Sequence, residues 1–67
     1  MNEQDRRKVA EAARFLMDAA RQDETVKMLV QAMVAHHGMP LHEIAAVNPD
    51  TVIEAAEEAA ALMENDL

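Results

Sequence analysis

Few side chains in this 67-residue sequence could do chemistry. It has no Cys, Ser or Tyr, and its hydroxyls are Thr25 and Thr51. Both threonines fall near expected helix starts, where a hydroxyl usually contacts backbone. Phosphate-cradling loops need several glycines, and Gly38 stands alone. Glu54, Glu57 and Glu58 are paired carboxylates, but they fall on an outward helix face with nothing apolar to tune them. No nucleophile–base constellation results, and the expectation is that the chain is not an enzyme. The most informative cluster is Met33, His36, Met39 and His42, which recur at a spacing of three. Thioether and imidazole together form a soft ligand set suited to Cu(I) or Ag(I).

That spacing resembles the methionine–histidine pattern of some bacterial silver- and copper-binding peptides. The resemblance covers ten residues and implies a soft-metal binder as an alternative function. Gly38 and Pro40 interrupt the run. The plainer reading puts Met33 in the core and His36 and His37 in the last turn of a helix, where imidazole meets the dipole favourably. On that reading no cofactor and no metal are expected. A second stretch, Glu43–Val52, resembles the helix-turn-helix family in its Glu43-Ile44-Ala45 and Pro49-Asp50-Thr51-Val52 segments. It departs by lacking the turn glycine and by carrying Glu54, Glu57 and Glu58 where Arg, Lys or Asn would read bases.

Charge distribution argues the same way. The net charge is −7. Residues 1–27 hold all six basic groups and six acids, whereas residues 28–67 hold seven acids and no Lys or Arg. Phosphate binding needs clustered cations, so a nucleic-acid partner is not expected. No run approaches the roughly 20 apolar residues of a membrane span. Met1 is followed by polar residues rather than a signal-type stretch. Absent cysteine fits a reducing compartment. These features together point to a cytoplasmic chain without membrane contact.

The elements that must position these groups are helical. No stretch alternates as a strand does. The sequence predicts an all-α, compact bundle of three main helices and one short connecting helix, in a single domain over residues 1–67. The expected helices are 3–21, 24–37, 40–46 and 49–65. Val9, Ala12, Ala13, Leu16, Ala19 and Ala20 share one face of the first, with Phe15 at its edge and Asn2 as N-cap. Val26, Leu29, Val30, Met33 and His37 share the main face of the second, with Asp23 as N-cap. Nothing at residues 21–23 is a Gly or Pro. The break is expected because the two apolar stripes would sit roughly 80° apart on one continuous helix; a single bent helix from 3 to 37 is the alternative. Gly38 marks a left-handed stop. Pro40 and Pro49 are each expected at the first position of a helix, the second with Asn48 as cap. The last helix turns Val52, Ala55, Ala56, Ala59, Leu62 and Met63 inward.

Helix two is apolar over most of its circumference, so it is expected to be central or covered by another chain. Twenty apolar residues larger than alanine are few for a self-sufficient core, and a domain this small supplies only about 3–5 kcal/mol. The leading functional expectation is therefore a small acidic protein-interaction module, a regulator, adaptor or assembly factor. It would work through helix faces, on a protein partner or on itself as a homodimer. Candidate contact residues are Met28, Ala32 and Val34 on helix two, and Glu54, Glu57 and Glu58 on the last helix. A computationally designed bundle without natural activity is a further alternative. Dense Ala and Glu suit it, while six Met, three His and absent Trp and Tyr suit it less.

Overall fold

The computed structural model describes residues 2–65, and every regular element among them is a helix. α1 spans Glu3–Gln22, α2 Glu24–His37, α3 Leu41–Val47 and α4 Pro49–Asn65. The chain is all-α, and the expected boundaries hold to within one residue. The Asn2 side chain caps α1, its Oδ1 accepting from the Asp5 N–H at 2.8 Å.

The break between α1 and α2 is one residue wide. Asp23 is extended, at φ −130° and ψ 122°. Its N–H donates to the Ala19 carbonyl at 2.9 Å and closes α1. Its carboxylate accepts from the N–H groups of Thr25 at 2.8 Å and Val26 at 3.3 Å and opens α2. The continuous helix is thus not formed. Gly38 ends α2 in the left-handed region at φ 68°, its N–H donating to the Val34 carbonyl at 2.9 Å.

Pro40 sits one residue earlier in its helix than its sequence context suggests. Its φ of −61° is helical, but its ψ of 158° is extended, so it is the N-cap and Leu41 is the first helical residue. The proline ring fixes only φ. The Pro40 carbonyl accepts from Glu43 and Ile44, each at 3.0 Å. Pro49 does open α4, and the Asn48 carbonyl before it accepts from the Thr51 N–H at 3.2 Å.

The core is small. Leu16, Val26, Ile44 and Val52 are the large side chains with no exposed surface, one from each helix. Val9, Ala19, Leu41, Ala45, Ala55, Ala56 and Ala59 complete the buried set among the described residues, so five of its eleven members are alanine. α1 carries the apolar face expected of it and forms the shared wall of the molecule, packing chiefly on α4 and α2. The first turns of α1 and α4 line one groove, through Asp5, Lys8, Val9, Pro49, Asp50 and Ile53. Residues 8–15 and 53–60 line the next, so these helices run side by side in the same direction. The inner alanines of α4 permit that approach.

α2 is not central, contrary to its composition. Only Val26 is fully buried along it; Leu29, Val30, Met33, Val34 and His37 are half-buried, and the opposite face is open. α1, which is amphipathic, takes the middle because its wide apolar face packs extensively on both α4 and α2. On α4, Leu62 and Met63 are likewise half-buried rather than enclosed.

Two substitutions check this account. Leu16→Ala should cost about 2–5 kcal/mol, the scale of the whole stability, so urea titration should find the variant largely unfolded. Gly38→Ala should cost about 1 kcal/mol through its left-handed backbone alone. An added Cβ there meets nothing within 4 Å. A Gly38→Ala melting temperature equal to wild type would show that the turn relaxes freely.

Candidate functional site

The outer face of α2 leaves a large apolar side chain open to solvent. Four residues on it recur at spacings of three, four and three: Thr25, Met28, Ala32 and Ala35. All four are exposed, Met28 at 63%. Such spacing makes a narrow seam along a helix, the pattern by which helices pair. Val34 is not part of it. It is half-buried against the core, because about 100° per residue turns it toward Val30 and Val26. Ala35 takes the place that Val34 was expected to fill.

The two flanks of the seam differ in charge. On one side Arg21, Glu24 and Lys27 line a shallow groove with the end of α1. On the other, α2 meets α4 in a groove lined by Leu29, Met33, His36 and His37 from α2 and by Thr51, Glu54 and Glu58 from α4. The His36 and His37 rings meet edge to face with centroids 5.3 Å apart. Glu57, also exposed, faces elsewhere. It lines the α1–α4 groove with Lys8, Glu11 and Phe15. The three glutamates grouped by sequence thus serve two different grooves.

The Met33, His36, Met39 and His42 set is also divided. Met33 and His36 share the α2–α4 groove. Met39 is half-buried against the core. His42 lies in a third groove, between α1 and α3, with Arg6, Ala10 and Ala46. The Gly38 turn and the extended Pro40 carry the chain around a corner between His36 and His42. Among the described residues no group of three or more His, Asp or Glu is placed to hold a metal ion. Among the described residues no side-chain nitrogen or oxygen is buried without a partner, and no polar or charged residue is buried.

Sequence reasoning missed the α1–α3 groove. Its one available signal was the run Arg6, Ala10, Ala13, Met17, spaced four, three and four apart along α1. Met17 is 51% exposed beyond the groove's end. The α3 side was not foreseeable, because its position depends on the turn after Gly38. No described helix is long and apolar enough to cross a membrane. Compared with protein-family models, with curated proteins and with solved structures, the chain matches none of them.

The division of the Met/His set gives a direct test. A chelator should leave the far-UV helical signal unchanged. In copper(I) titrations with a competing ligand, His36→Ala should weaken whatever affinity is found and His42→Ala should not. Equal losses in both variants would mean that the two ends of the set converge in solution.

Proposed function

We propose that this chain is a small non-enzymatic protein-interaction module, a compact bundle of three long helices and a connector that works by presenting helix faces. The observation that carries this reading is the open face of α2, where Met28 at 63% exposure is followed at helical spacing by the exposed Ala32 and Ala35. Scattered exposed apolar residues are ordinary on a protein surface. A seam at heptad spacing on a helix whose inner face is already packed is not scattered. Phe15 at 37%, Met17 at 51% and Val47 at 64% are exposed on other faces, so the surface offers more than one apolar feature. The core beneath is thin, and covering the seam would add apolar burial that the isolated chain lacks.

The acidic balance supports a partner that is not a phosphate backbone. The simplest partner is another copy, since twofold dimers are the commonest closed assembly.

Sedimentation across micromolar to millimolar concentration tests this reading. The wild type should rise above its 7.4 kDa monomer mass, and Met28→Glu should remain monomeric with its helical signal intact. Met28 is exposed, so the substitution should change monomer stability by no more than about 0.5 kcal/mol. A wild type that stays at 7.4 kDa throughout would remove the support for self-association.

A further inference from the structure

We infer that Met33 and Met39 form a peroxide-sensitive seat for the second half of α2, and that their oxidation to sulfoxides loosens that helix from the bundle. Such a device needs no partner on the open face of α2. With no cysteine in the chain, methionine is its readily oxidised side chain. Five methionines fall among the described residues, and the fold divides them. Met17 and Met28 are 51% and 63% exposed and stand outside the core. Met33, Met39 and Met63 are half-buried and pack against it.

Two of the three inner methionines serve α2. Val26, near its start, is the one residue of that helix with no exposed surface. Farther along, Val30, Met33 and Val34 are half-buried against the core, and Met39 holds the turn after Gly38 in the same way. Met33 also lines the groove where α2 meets α4. The late half of α2 is thus held by two valines and two thioethers, with no fully buried anchor of its own.

The oxidant is a hydroperoxide. The thioether sulfur attacks the outer peroxide oxygen, and an S–O bond forms as the O–O bond breaks. Sulfur gives up two electrons. The remaining peroxide oxygen takes the proton of the transferred hydroxyl and leaves as water or an alcohol. An apolar thioether has become a polar sulfoxide that accepts hydrogen bonds. No polar or charged residue among the described ones is buried, so the core offers the new oxygen no side-chain donor. An unpartnered polar group is costly to bury, and Met33 and Met39 reach water only by leaving the core. Exposure sets the order of reaction. Met17 and Met28 react first without structural cost; the inner pair reacts later, and the helix responds then.

Hydrogen peroxide titrated onto the full chain tests this. Peptide mass spectrometry gives the sulfoxide fraction at each methionine, and circular dichroism gives the melt. Sulfoxide at Met17 and Met28 should leave the melting temperature unchanged. Sulfoxide at Met33 and Met39 should lower it by about 5–10 °C, and methionine sulfoxide reductases should restore it. Met33→Leu/Met39→Leu keeps volume and apolarity and should retain its melting temperature through the same titration. Met17→Leu/Met28→Leu should lose as much as wild type. An unchanged melt in a wild type fully oxidised at Met33 and Met39 would overturn the proposal. So would a Met33→Leu/Met39→Leu chain that falls as far as wild type, since the sensitive sulfur would then be that of Met63. The reductase arm decides without any variant: a loss that persists after both sulfoxides are reduced has another cause and overturns the proposal too.

Discussion

A single extended residue decides the shape of this protein. Asp23 uses its backbone N–H to finish α1 and its carboxylate to start α2. The donors it satisfies are among those that every helix start leaves unpaired. Its neighbours Gln22 and Glu24 are good helix formers, and no Gly or Pro assists the break. The reorientation it permits brings Val26 beneath the surface together with Leu16 and Ala19 of α1. The same rotation fixes which side of α2 stays outside. The seam of Met28, Ala32 and Ala35 is open because Val26, Val30 and Met33 have been turned in.

Everything built on that break is thinly supported. Five alanines in a buried set of eleven leave few methylene groups to remove from water. Alanine also has a benefit here, since it lets α1 and α4 lie close and costs no side-chain entropy on burial. The price is a fold held by four large side chains, one from each helix, with little reserve. Ion pairs add almost nothing. The one among the described residues, Arg21 with Asp18, spans 4.0 Å between side chains 77% and 62% exposed, a setting worth about 0–1 kcal/mol. Association through an open helix face is a physically economical way for such a domain to gain burial.

Much of this was legible in the residues themselves. Asn2, Asp23 and Gly38 are local signals whose meaning depends only on adjacent backbone, and each caps as its type dictates. The apolar stripe of α1 was legible because all six of its members lie at helical period. Legibility failed where an answer depends on the path between helices. Composition made α2 look central, yet α1 holds the middle. Val34 looked like a surface residue until its neighbours were placed. Pro40 restricts φ and says nothing about ψ, so its role at the helix start moved by one residue. The Met/His set looked contiguous in sequence, but the corner at Gly38 and Pro40 sends His42 to a groove that His36 does not share. The charge difference between the flanks of α2 was equally invisible, because Glu54 and Glu58 reach that groove only through the packing of α4.

The claim that most of this rests on is that the Asp23 side chain makes the break, and its stability is directly measurable. Asp23→Ala should lose about 0.5–2 kcal/mol in denaturant titration, and Asp23→Asn, which can still accept both N–H groups, should retain most of it. An Asp23→Ala chain as stable as wild type, or more stable with a stronger helical signal, would mean that a continuous helix from residue 3 to 37 serves equally well. The folded core and the open face of α2 would then need another cause.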